Sequence, residues 1–241
     1  MNLADVVIAT ITLARTVDEE RHLLKSLTQL QRGGPPVIAA DGGSPAIFIQ
    51  KVRNLGIQVV SPRTRGLVQQ VKGALRQSAK LYPGKFVLYT EPDKYPFFGK
   101  MMRNFVRLAC RESDLGVAIA ARDEKSFRTF PPGQRWTETF TNEVANLYFG
   151  RRDARADYCY GPLLLSPKAT TFALKAPDEL GWGWRFYTMA LAQKNLLQVQ
   201  RIVGNYPCPP EQRGEDLPED RLYRLKQLRQ NLAALNLAFE K

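Results

Sequence analysis

Residues 4–12 are an almost unbroken apolar run rich in β-branched side chains, a pattern that predicts a strand covered on both faces. Residues 17–31 then switch to helical spacing, with Leu23, Leu24, Leu27 and Leu30 on one side, and Gly33-Gly34-Pro35-Pro36 ends that helix. A short strand over 37–40 runs into Asp41-Gly42-Gly43-Ser44-Pro45, a turn whose Ser44 can cap a helix starting at Pro45. Residues 56–60 read as a third strand, 66–81 as a helix, 85–89 as a fourth strand, 96–111 as a helix and 115–120 as a fifth strand. Strands alternating with helices of this length predict an α/β domain: a mostly parallel, Rossmann-like sheet with helices on both faces. In such sheets ligands sit beyond the carboxyl ends of the strands, where Arg15, Asp41, Glu91 and Asp93 fall.

After residue 121 the rhythm changes. Residues 122–135 are polar and contain Pro131-Pro132-Gly133, which predicts a loop of lid type. Residues 136–149 read as a helix, and 158–165 as a strand entered through Asp157. Gly181-Trp182-Gly183-Trp184 opens a helix running to about residue 194, and 197–203 form a last strand. Pro207, Pro209 and Pro210 interrupt the chain before a final helix over 219–239. That helix carries Arg221, Arg224, Lys226 and Arg229, with Leu222, Leu225, Leu228 and Leu232 along one side. It reads as a C-terminal amphipathic packing helix that docks on the body or in a homodimer, in preference to membrane attachment. The predicted division is therefore a domain over 1–205 and a linker with a docking helix over 206–241.

Charge sharpens this picture. Of a formal net charge of +12, nearly all lies in residues 42–111, where thirteen lysines and arginines face only two acids, Glu91 and Asp93. A basic surplus of this size points to an anionic partner such as a nucleotide, a nucleic acid or a lipid surface. The chain of 241 residues has an ordinary globular composition, 44% hydrophobic and 24% charged, and no apolar stretch long enough to span a bilayer. Peripheral association stays open. Cys110, Cys159 and Cys208 are odd in number and far apart, which argues against a disulfide framework or a clustered zinc site and suits a cytoplasmic protein. The first apolar run has Asp5 beside it and no basic segment before it, so it reads as a core strand and not as a signal peptide. With a single histidine, His22, in a polar helical stretch, Ser-His-Asp and Cys-His catalysis have no support.

Glu91-Pro92-Asp93 is the leading candidate for chemistry. Two carboxylates one residue apart, at a strand end in basic surroundings, suit Mg²⁺ or Mn²⁺ bound with the phosphates of a nucleotide, because hard cations take few protein oxygens and share the rest with substrate and water. The neighbouring Lys94 would repel a dication or itself bind phosphate. Asp41 with its glycines can approach a ribose or base. Arg63 and Arg65, before a helix that opens at Gly66, favour an anion. Asp157 or Glu179 can deprotonate an acceptor hydroxyl, and Trp182 or Trp184 can stack on a sugar. Each also has a plainer reading: solvated turns for the acids, helix caps for Asp178 and Glu179, core packing for the tryptophans.

Taken in order, these pieces resemble the GT-A fold, family 2-like glycosyltransferases of the nucleotide-diphospho-sugar transferase superfamily. The resemblance rests on residues 6–12, Ala40-Asp41-Gly42-Gly43-Ser44, the small-residue helix 66–79, Tyr89-Thr90-Glu91-Pro92-Asp93, Asp157-Tyr158-Cys159-Tyr160-Gly161-Pro162 and 181–187, and it spans about 4–205. It implies a nucleotide-diphospho-sugar donor with Asp41 near the nucleoside and Glu91 and Asp93 near the metal and diphosphate, and it leans toward inversion. The acceptor is not specified. Glu replaces the first Asp of the usual motif, Lys94 follows it, and Arg185 stands where the family often has an acid, so the resemblance also admits a remodelled or lost activity. Two other classes compete. A nucleotidyltransferase lacks its usual glycine-rich stretch after the first strand, since Thr12-Leu13-Ala14-Arg15 has no glycine. A non-catalytic basic binding module would need a nucleic-acid motif or an aromatic platform, and neither is present, so no nucleic acid is expected.

Overall fold

The computed structural model describes residues 3–62, 64–109, 114–153, 156–214 and 217–240. Arg63, Cys110 and the last residues of the helix expected over 96–111 lie outside the described residues.

A 3₁₀ turn, Leu3–Asp5, leads into β1 (Val6–Thr12), followed by α1 (Val17–Gln31), β2 (Val37–Asp41), α2 (Ala46–Asn54), β3 (Gln58–Val60), α3 (Leu67–Leu81) and β4 (Phe86–Tyr89). A second 3₁₀ segment, Pro92–Phe97, precedes α4 (Lys100–Ala109), β5 (Leu115–Arg122), the single turn α5 (Glu124–Phe127) and α6 (Pro132–Tyr148). Then come β6 (Leu163–Leu165), α7 (Pro167–Leu174), a 3₁₀ segment Asp178–Gly183, α8 (Trp184–Lys194), β7 (Gln198–Gly204), a 3₁₀ turn Pro210–Gln212, and α9 (Pro218–Glu240). Local chemistry accounts for several boundaries. Thr16 caps α1 by accepting from the N–H of Glu19, and Asp18, Glu19 and Glu20 complement the positive end of its dipole. Gly66 precedes α3 at φ 129°, a conformation that side chains with a Cβ disfavour.

The seven strands lie in the order β3-β2-β1-β4-β6-β5-β7. All are parallel except β6, which runs against both β4 and β5. Alternation along β1 divides the core: Val7 and Ala9 face the layer of α3, α7, α8 and α9, whereas Val6 and Ile8 face α1, α2 and α4. Burial on both faces explains the continuous apolar runs in the sequence.

Three expectations are corrected, and one helix is added. The extended segment after Asp157 enters the sheet only at Leu163–Leu165, because Tyr158 and Cys159 direct their N–H groups to the side chains of Asn142 and Asp157, and Gly161 turns the chain at φ 126°. The loop expected over 122–135 contains α5, capped by Asp123, and the start of α6, with Pro132 in its first turn. Helix α7, which the apolar spacing did not reveal, begins with Ser166 accepting from the N–H of Ala169 and Pro167 in its first turn. On α9 the leucine stripe is not the face that packs on the body. Asn231, Ala234, Leu235 and Ala238 of its second half are buried, while Leu222 and Leu225 are exposed. Dense packing there depends on glycine: a Cβ on Gly183 would fall 2.2 Å from the backbone oxygen of Gln230 in α9.

Candidate active site

The carboxyl ends of β1, β2 and β4 come together, and each acid there has a different environment. Asp41 is buried and accepts four hydrogen bonds: from the hydroxyls of Thr12 (2.9 Å) and Ser44 (2.6 Å) and from the N–H groups of Gly43 (2.9 Å) and Ser44 (2.7 Å). The Ser44 hydroxyl oxygen also accepts from the N–H of Ala14 at 2.8 Å. The carboxylate thus ties the loop after β1 to the turn after β2. Its oxygens are committed to protein donors, and Asp41 does not line the main cavity.

Glu91 is the opposite case. It is buried, yet neither carboxylate oxygen has a hydrogen-bond partner within the protein, and Asp93 Oδ1 is likewise buried and unpartnered. The 3₁₀ segment that follows is anchored by the Ser26 hydroxyl of α1, which donates to the carbonyl of Pro92, and by the N–H of Lys94 donating to the carbonyl of Glu91 at 3.1 Å. Lys94 Nζ pairs with Asp93 Oδ2 at 2.5 Å. Burial pushes the Glu91 carboxyl above its ordinary range, opposed by the charges of Arg185 and Lys94 and reinforced by that of Asp93. Gly161 makes this gathering of charge sterically feasible: a Cβ there would lie 2.5 Å from Glu91 Oε2 and 3.2 Å from Arg185 Nη1.

These groups form one wall of a cavity of about 650 Å³. Arg15, Glu91, Asp93, Lys94, Trp182 and Arg185 all line it, so loops distant in sequence do converge. Arg15 sits at the exposed rim and pairs with Glu19 at 3.0 Å. Trp182 is half-buried, lies 5.5 Å from the Arg185 guanidinium and donates its indole N–H to the Tyr223 hydroxyl at 2.6 Å. Other expected residues are elsewhere. Arg65 is exposed before α3 and Glu179 is exposed, and neither lines this cavity. Trp184 is fully buried, edge-on to Tyr89 at 4.9 Å, so it packs the core and has no face open to a ligand.

Asp157 faces a second cavity, of about 600 Å³. The Arg122 side chain grips it in a fork, Nε to Oδ2 at 2.7 Å and Nη2 to Oδ1 at 2.9 Å, and Nη2 also reaches Glu138 at 2.6 Å. Burial raises the Asp157 carboxyl, but the charge and hydrogen bonds of Arg122, with the N–H of Cys159, outweigh it and hold the group below its usual range. The guanidinium in turn lies against Phe127, Phe130 and Tyr160, at 4.7, 4.4 and 5.5 Å. A carboxylate held this way is poorly suited to taking a proton.

The site also contains residues that sequence reasoning passed over. Tyr223, Arg224, Gln227 and Asn231 of α9 and Glu138 of α6 line the main cavity, and Asn231 Oδ1 is buried without a partner. The expected boundary near residue 205 thus runs between two walls of one cavity. Arg185 was legible only as a missing acid.

Comparison with solved structures identifies this architecture. A mycobacterial protein aligns with 97% of this chain and 74% of its own, with a TM-score of 0.66 at 14% identity. Glucosyl-3-phosphoglycerate synthase from Mycobacterium tuberculosis, in complex with phosphoglyceric acid, covers 96% of this chain and 79% of its own, with a TM-score of 0.66 at 14% identity. The fold is GT-A. The same synthase with Mn²⁺, uridine diphosphate and glucosyl-3-phosphoglycerate aligns at a TM-score of 0.63 and 15% identity, covering 96% of this chain and 79% of that one. No protein-family model and no curated protein matches the chain by sequence. The GT-A sheet, with its one reversed strand, accounts for the position of Glu91 and Asp93 at the end of β4, beside the reversed β6.

Proposed function

We propose that the protein is a glycosyltransferase that takes a sugar from a nucleotide-diphospho-sugar in the main cavity and passes it to an acceptor yet to be identified. The observation that carries this reading is Glu91: a buried carboxylate with no protein partner for either oxygen, at the strand end where the GT-A fold opens. Such a group costs stability unless something outside the chain satisfies it. The GT-A neighbours include a synthase crystallised with Mn²⁺, UDP-glucose and phosphoglyceric acid, which makes UDP-sugars the first donors to test.

The donor set suits a divalent cation. Glu91 and Asp93 present three unpartnered buried oxygens, and among the described residues there is no cluster of three or more histidine, cysteine, aspartate or glutamate side chains. Two carboxylates completed by phosphate and water match the habits of Mg²⁺ and Mn²⁺. Bound there, the cation would offset charge developing on the departing diphosphate. Lys94 and Arg185, both lining the cavity, supply further positive charge for the same purpose. Trp182 offers a ring face for a sugar. Asp157 is engaged by Arg122, and the acids that line the cavity besides Glu91 and Asp93 are Glu138, Glu211 and Asp220.

A thermal-shift panel of UDP-, GDP- and dTDP-sugars, with and without Mn²⁺, tests the proposal. At least one sugar nucleotide should raise the melting temperature of the wild type, with a Mn²⁺-dependent increment that Asp93→Asn removes. Silence across the whole panel would overturn the reading.

A further inference from the structure

The first half of α9 leaves a basic and apolar face bare. Arg221, Leu222, Leu225, Lys226 and Arg229 are all exposed and, at helical spacing, share one side of the helix. Leu222 is 68% and Leu225 45% exposed. Beside them α6 presents Trp136, 64% exposed, and Phe140, 46% exposed, one turn apart. The two helices meet along a shallow groove of about 400 Å³ lined by Pro132, Trp136, Arg221, Arg224 and Leu225. Thr137 and Arg224 belong both to this groove and to the main cavity. The nearest acids on α9 are Glu219 and Asp220 in its first turn, and Asp220 lines the main cavity.

We propose that this face docks on an anionic lipid surface. Exposed leucine, tryptophan and phenylalanine supply the part that enters the headgroup layer, and the flanking arginines and lysine match its negative charge. The whole chain adds a formal +12 at long range. A second copy of the chain is a poorer occupant: a two-fold contact would set the patch holding Arg221, Lys226 and Arg229 against the same basic patch of its mate. Nucleic acid would use the cations but has no use for the leucines. Docking would place the groove, and through it one rim of the main cavity, against the headgroups. This inference does not depend on the transferase reading.

The test is cosedimentation of the full chain with vesicles of phosphatidylcholine alone and of phosphatidylcholine mixed equally with phosphatidylglycerol. Binding is expected only to the mixed vesicles and should weaken as salt rises. The double variant Lys226→Gln/Arg229→Gln should weaken it by roughly thirtyfold, and Leu222→Ser/Leu225→Ser should also reduce it, with unchanged melting temperatures because all four side chains are exposed. The wild-type emission spectrum minus that of Trp136→Phe should shift to the blue on the mixed vesicles. The proposal is overturned if the mixed vesicles fail to bind the wild type at low salt, or if the variants bind as well as it does. It is equally overturned if the wild type is a dimer that the leucine variant splits, or if duplex DNA binds as tightly as the vesicles and only the charge variant loses it.

Discussion

Glu91 and Asp157 are both acids buried at the rim of the same sheet, and they differ in what satisfies them. Asp157 receives a forked guanidinium and two backbone N–H groups. Glu91 has no comparable set of donors on its two oxygens, and Arg185 and Lys94 act on it as nearby charges. A buried charge whose acceptors are filled from within organises the fold. One left open calls for an explanation outside the internal hydrogen-bond network, and the proposed function gives it a ligand. Asp41, with four internal donors, belongs with Asp157, although the sequence groups it with the donor-binding residues.

Three experiments would break or sharpen this contrast. The largest effect is expected from Arg122→Ala, which leaves Asp157 as a buried acid without its counter-ion and takes the ion-pair partner from the half-buried Glu138; it should cost about 3–5 kcal/mol, read by denaturant unfolding. A loss below 1 kcal/mol or so would mean the fork is ornamental. Asp41→Ala removes the acceptor for two hydroxyls and two N–H groups and should cost about 2–3 kcal/mol with intact secondary structure. Glu91→Gln should do the reverse, leaving stability unchanged or raising it by up to about 1 kcal/mol; under the proposed function it should also lower sugar transfer by about a hundredfold.

The two acids should also have opposite pH signatures. Because the folded-state value of Asp157 is depressed, its contribution is present above the ordinary aspartate range and is lost as pH falls through the depressed value. Glu91 is raised, so its ionisation begins to cost stability as pH climbs above the ordinary glutamate value. Melting curves across pH for the wild type, Asp157→Asn and Glu91→Gln separate the two. Asp157→Asn should flatten the acid side, and Glu91→Gln should flatten the decline above it.

Much of the framework was legible. Apolar runs marked β1, β2, β4 and β5 because strands buried on both faces must be continuously apolar, and α1 carried both its cap and its leucine spacing. The end of β4 stood out through charge alone, as two acids in a basic region. The stretch from Arg122 to Leu165 was read poorly. Its helices start at Glu124, capped by Asp123, and at Pro132, and its strand is three residues long because side chains take the N–H groups that a ladder would have used.

What residue order determined here is periodicity, the charge map and the placing of candidate groups at strand ends, all of which are local properties. Which acids are satisfied is not local. Arg122 meets Asp157 across 35 residues of chain, and Arg185 approaches Glu91 only because Gly161 lacks a side chain. The seating of α9 depends on tertiary contact in the same way: glycines at 181 and 183 admit it around Gln230, while Leu222 and Leu225 stay outside. Hydrogen bonding and close packing act between segments that only the folded chain brings together, so tertiary structure alone separated the acids satisfied from within from the one whose oxygens are left open.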